Sequence, residues 1–233
     1  MEIIKTLSNA AVTVAGLGLL TSMFATVGAS SASAFSFSTT PHSSACDPNG
    51  CTSKVSGAVT VDFNGGAAPT SGFATYTGGA HIVSGSASGL YSAPKGDTTP
   101  FLAVGPSPNA TPVTVNFAAP VDYFGLYLGT PDSYNSISFF NGSNSIASYT
   151  GNQFIAGISG TAADDATNPY VDFFANGSSE YFNRVVLDST RQAFETDNHA
   201  YRAVSSVPEP SALLGVFAFA ALGVNRRLKL IKL

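Results

Sequence analysis

Pro120–Gly151 reads PVDYFGLYLGTPDSYNSISFFNGSNSIASYTG, and its spacing carries the fold class. Val121 to Leu128 (VDYFGLYL) is apolar on both faces apart from Asp122. That is the pattern of a central strand covered on both sides. Ser136 to Phe140 then runs into Asn141-Gly142 and returns through Ser145 to Tyr149. Asn and Gly accept the positive φ of tight turns, so a β-hairpin is expected here.

The same signals recur on either side. Val113, Val115 and Phe117 alternate with Thr114 and Asn116, and Val59, Val61 and Phe63 alternate with Thr60 and Asp62. Period two means a strand with one buried face. Val171 to Phe174, Asn176-Gly177 and Tyr181 to Asp188 read as a second hairpin. No helical period of useful length occurs in 35–205. About ten short strands separated by turn signals predict an all-β domain, a single antiparallel β-sandwich of jelly-roll type.

Composition narrows the function classes. Charged residues make up 10% of the 233, against roughly 25% in ordinary soluble chains. With 17 Phe and 9 Tyr a core can still be built, so low charge does not mean disorder here. The net charge is −4, and no basic stripe crosses the interior, which argues against nucleic acid as a partner. Residues 35–205 hold twelve of the fourteen acids but only five of the ten Lys and Arg. The other bases lie in the terminal segments, an asymmetry that points to a chain handled at a membrane.

Both ends read as addresses. Lys5 precedes an apolar run, Ala10–Leu20 (AAVTVAGLGLL), and small residues follow to Ala32-Ser33-Ala34. Basic start, short apolar centre and A-x-A site make a secretory signal helix, with signal peptidase expected to cut after Ala34. Eleven residues rise only about 16 Å as helix, short of a hydrocarbon core of about 30 Å. At the other end, Pro208-Glu209-Pro210 precedes Ala212–Val224 (ALLGVFAFAALGV) and then Arg226 and Arg227. The prolines cannot belong to the helix that follows them. The 13-residue apolar run spans roughly 20 Å as a short hydrophobic helix, and the arginines behind it stay cytoplasmic, leaving the body outside. The resulting division is 1–34 signal peptide, 35–54 N-terminal loop, 55–205 ectodomain and 206–233 sorting segment.

The order Pro-Glu-Pro, short apolar helix, Arg-rich end resembles the PEP-CTERM sorting signal of Gram-negative bacteria. The resemblance implies recognition by an exosortase, a membrane protease-transpeptidase, after brief residence in the inner membrane. Pro208, Glu209 and Pro210 are then the recognition motif, Ala212–Val224 the transient anchor, and Arg226 and Arg227 the stop. Pro120–Gly151 with Phe194–Tyr201 is similar to the ectodomains of exosortase-dependent surface proteins, which implies a place at the cell surface or in the extracellular matrix.

Three candidate sites follow from the residues. Cys46 and Cys51 enclose Asp47-Pro48-Asn49-Gly50, and in an exported chain a local disulfide is expected. Asp62 in an early strand and Asp197 in a late one are the candidates for a structural calcium, an ion that takes six to eight oxygens. Tyr76, Tyr91 and Tyr134, placed in loops, are candidates for stacking against polysaccharide. The three histidines, His42, His81 and His199, fit no nucleophile-elbow or zinc spacing, and His199 is expected to be partly exposed. The functional expectation is a structural or adhesive surface protein without catalysis. A carbohydrate-binding module and a secreted glycan hydrolase are the alternatives.

Overall fold

A computed structural model describes residues 34–155 and 168–204. Eleven strands build it: β1 (Ser36–Thr40), β2 (Val59–Val61), β3 (Ala74–Thr77), β4 (His81–Val83), β5 (Phe101–Val104), β6 (Val113–Leu128), β7 (Asn135–Asn141), β8 (Asn144–Thr150), β9 (Tyr170–Phe174), β10 (Phe182–Ser189) and β11 (Phe194–Ala203). Helical structure among the described residues is limited to short 3-10 turns. The domain is all-β, and every strand pairing is antiparallel.

Strand β6 makes the sheet fold on itself. Its first half pairs with β3 and β10, and its second half with β9 and β11. Between the halves Ala118, Ala119 and Pro120 are exposed, and the registers of β10 and β11 against β6 both shift beside this point. Pro120 lacks a donor, so it is tolerated where the ladder is interrupted and the strand turns a corner. One layer is therefore β3–β6–β10–β7–β8, and the other is β4–β5–β11–β6–β9–β1 with β2 against β11.

The layers close over an aromatic core. The Phe139 ring on β7 lies 4.8 Å from Phe173 on β9, across the interface, and 5.1 Å from Phe182 on β10. Phe124, Phe139, Phe173 and Phe182 are fully buried, and each contributes about 1.5–3 kcal/mol by leaving water. The Asn141-Gly142 hairpin forms as expected, with Asn141 opposite Asn144 and Gly142 at φ +58°, a conformation that suits a residue without Cβ.

Three expectations are corrected. β9 and β10 do not pair with each other: β9 lies beside β1 and the second half of β6, β10 beside β7 and the first half. The Asn176-Gly177 segment is thus a crossover between layers. Its Asn176 side chain bonds the Ala34 carbonyl at 2.5 Å and the Ser36 hydroxyl at 3.0 Å instead of closing a turn. The segment 35–54 is not all loop, since β1 places Phe35 and Phe37 against Phe139 and Phe173. Finally, Val59 is 53% exposed on the edge strand β2, so the burial expected from its alternation holds at Phe63, in part at Val61, and fails at Val59. No helix among the described residues is long and apolar enough to cross a membrane. Ala32, the Pro208-Glu209-Pro210 motif and the apolar run 212–224 lie outside the described residues.

Candidate functional site

The outward face of the β11 layer is covered by two loop segments, and its polar side chains are buried beneath them. Residues 41–55 pack Cys46 and Cys51 on Tyr127 and Tyr170. The two cysteines form a disulfide, and Gly50 inside the loop sits at φ +72° so close to Tyr127 and Asn198 that a Cβ would come within 2.8 Å of the Tyr127 ring. Residues 84–100 pack Tyr91 and Ala93 on Val83, Phe101 and Ala103.

Where this second loop meets the end of β11, a groove of about 610 Å³ opens. Tyr91 and Tyr134 both line it, with Asp132, Gln192, Glu195 and the hydroxyls of residues 86–92. A tight turn shapes one wall: the Leu90 and Tyr91 amides both donate to the Ala87 carbonyl. Tyr134 is fixed by donating to Asp132 Oδ2 at 2.6 Å, and the Arg191 guanidinium lies 5.7 Å from its ring centroid. Burial, then the Asp132 carboxylate, push the Tyr134 hydroxyl well above its ordinary pKa, so it stays protonated and donates.

The floor is Glu195. Its Oε1 accepts the Ser92 amide at 2.7 Å, and Gly129 lies so close that a Cβ there would be 3.0 Å from Glu195 Cβ. Burial raises the Glu195 carboxyl, opposed by the Ser92 bond. Gln192 is committed to the wall: its amide donates to the Pro106 and Ser107 carbonyls at 2.6 and 3.1 Å, and its oxygen accepts from Asn109 at 2.7 Å. The chemistry offered is two tyrosine rings, serine hydroxyls and two carboxylates. Sugars present C–H faces to rings and hydroxyls to carboxylates, and two acids repel an anionic ligand.

The other expected residues fall elsewhere. Tyr76 is not in a loop but in β3, 5% exposed, with its hydroxyl 2.9 Å from His199 Nδ1. It shares the buried face of β3 with Ala74, opposite Thr75 and Thr77, so it belongs to the core. His199 is fully buried rather than partly exposed, and its Nε2 lies 2.9 Å from Thr196 Oγ1. Burial lowers its pKa to about 3, which keeps it neutral. His42, Cys46 and Cys51 bring three donor atoms within 4.8 Å of one another, but both sulfurs are bonded in the disulfide, so no thiolate is on offer for a metal.

The calcium candidates separate in the same way. Asp197 on β11 is fully buried, whereas Asp62, just past β2, is exposed and accepts the Asn64 amide at 3.1 Å. The carboxyl that acts most strongly on Asp197 is Asp97, on the loop 84–100, with the Asp62 charge a smaller influence. Asp97, Asp132 and Glu195 escaped sequence reading. Asp97 and Asp132 sit in turns without period, and Glu195 falls in a strand whose outward face would ordinarily meet water. In comparisons with known proteins, no family model, no curated protein and no solved structure matches the chain.

Proposed function

We propose that the chain is an exported, exosortase-processed protein of the cell surface or extracellular matrix, with an adhesive role exerted by binding a neutral polysaccharide along the Tyr91–Tyr134 groove. The observation that carries this reading is the convergence of two tyrosines, far apart in sequence, on one open groove with Asp132, Glu195 and serine hydroxyls. The binding role refines the structural one: a surface component that holds matrix glycan needs a groove and no catalytic machinery. The resemblance of the C-terminal segment supports export and sorting.

A glycan array probed with the full chain tests the binding. Neutral oligosaccharides are expected to bind, and Tyr134→Ala and Tyr91→Ala each to weaken binding about tenfold, the range for loss of one aromatic contact. Binding unchanged in both variants rejects the groove. Because Asp132 and Glu195 share the groove, release of reducing ends from the bound oligosaccharide is measured alongside. No release is expected, and release abolished by Glu195→Gln would make the protein a hydrolase instead. Sorting is tested by intact mass with and without the host exosortase, and in a variant with Pro208, Glu209 and Pro210 changed to alanine. Normal processing of that variant removes the motif from the account.

A further inference from the structure

Two carboxyl groups lie buried with no cation among the described residues to neutralise them. Asp197 is fully buried, and neither of its oxygens meets a partner at good hydrogen-bond geometry among the described residues, although the Asn198 amide and the Asp97 carboxyl lie near enough to act on it. Asp97 is 6% exposed. Its Oδ1 accepts from the Thr99 amide at 2.9 Å and the Thr99 hydroxyl at 2.6 Å, while Oδ2 is buried and unpartnered. No Lys, Arg or His of the described residues pairs with either. An orphaned buried carboxylate is costly. Two facing each other cannot both remain ionised unless something positive stands between them.

The surroundings hold the pair in place. The Asp97 amide donates to the Pro94 carbonyl at 3.1 Å, and the Thr98 amide to Pro48 at 2.8 Å, so the Asp97 loop is docked on the disulfide loop. Asn198, next to Asp197, adopts φ +48°, and its side-chain amide donates to the Asn49 and Cys51 carbonyls at 2.7 and 3.1 Å. A left-handed conformation costs a non-glycine residue something and persists where the surroundings fix it. The segments that carry the two acids are thereby tied to one another through the loop 48–51. Among the described residues, the ionised groups acting on Asp197 are Asp97 and, less strongly, Asp62, both negative.

We propose that Asp97 and Asp197 together hold a calcium ion that pins the loop 84–100 to strand β11. The donors are all oxygen, which selects a hard cation. Donors carried on an irregular loop suit the flexible coordination of calcium better than the strict octahedron and retained waters of magnesium. This site is separate from the glycan groove and stands or falls without it.

The test uses the full chain, stripped with EDTA and dialysed against about 1 mM calcium chloride, the range in which extracellular modules bind this ion. One calcium per chain is expected by mass spectrometry of the metal. The melting temperature should rise by about 5–10 °C with calcium, and by much less with equal magnesium. Asp197→Asn, which mimics the protonated group and keeps the fold, should lose the bound ion and the shift, and Asp97→Asn should do the same. No retained calcium and no shift means that a shared proton alone bridges the pair and overturns the proposal. Calcium retained undiminished by both variants overturns it equally. Magnesium acting as well as calcium rejects the choice of ion.

Discussion

The two layers bury their inward faces alike but treat their outward faces differently. On β7 and β10, buried Ile137, Phe139, Val185 and Leu187 alternate with partly exposed Ser136, Ser138, Arg184 and Val186. The outward side is open, dressed by small contacts such as Ser138 to Ser148 at 2.8 Å and the Arg184 guanidinium 4.3 Å above the Phe140 ring. On β11, residues 194–200 are all buried, as are all four residues of β5. Their outward side is roofed by loops, and beneath the roof lie Glu195, Asp197, Tyr127 and Tyr170. An open face needs only to tolerate water. A roofed face must satisfy every polar group it hides, and each group it leaves unsatisfied calls for an explanation that an open face never needs.

The contrast breaks most visibly by truncation. Tyr127 points outward yet is fully buried, donates to the Lys95 carbonyl at 2.6 Å and lies 2.9 Å from His42 Nδ1. Tyr127→Ala should cost about 3–5 kcal/mol in urea unfolding, the range for emptying an aromatic site. Val186→Thr, equally outward on the open layer, should stay within about 0.5 kcal/mol. Similar costs for the two would mean that the roof is not packed as described.

Next in size is a pH effect confined to the roofed face. Burial first, and then the Asp97 carboxylate, push Asp197 up to about 9, with Asp62 adding to the shift. A carboxyl whose folded pKa lies above its unfolded value binds more protons when folded, so stability falls as pH rises. In EDTA the chain should therefore lose stability steadily from about pH 4 to pH 9, the unfolded and folded values. Calcium should offset the loss increasingly toward pH 9, because it competes with the proton. Asp197→Asn should flatten the slope in EDTA. A slope that persists in this variant would assign the effect to another group.

This difference between faces also explains what was legible. The open layer obeys period two, so Val113 to Phe117 and the 135–150 hairpin could be read directly. The roofed layer could be read only in part: the double-faced apolarity of Val121–Leu128 announced a covered strand but not what covered it. Val113–Phe117 and Val121–Leu128 read as two separate strands, whereas β6 runs through both and turns at the exposed Pro120. In the groove, Tyr91 and Tyr134 stood out as loop aromatics. Their partners Asp132 and Glu195, like Asp97 beside Asp197, became significant only through pairings between distant segments. No local spacing encodes such pairings.

The smallest predicted effect tests how Phe35, just ahead of β1, is seated against the crossover that leads into β10. Phe35 is the residue that the expected cleavage makes the mature N-terminus. Its ring lies 5.7 Å from Phe182 and its backbone nitrogen donates to Glu180 Oε1 at 2.9 Å. Glu180 Oε2 accepts the Asn176 amide at 2.9 Å, so the carboxylate is already aimed. Cleavage after Ala34 turns that amide into an ammonium and the hydrogen bond into an ion pair. A half-exposed pair of this kind contributes about 0.5–1 kcal/mol. Glu180→Gln should then cost about that much in a chain beginning at Phe35, and the difference should shrink in salt. In the uncleaved chain the same change removes only a neutral donor's partner and should cost less. Equal costs in the two forms would mean that Glu180 serves the crossover alone and that the free terminus is not seated there.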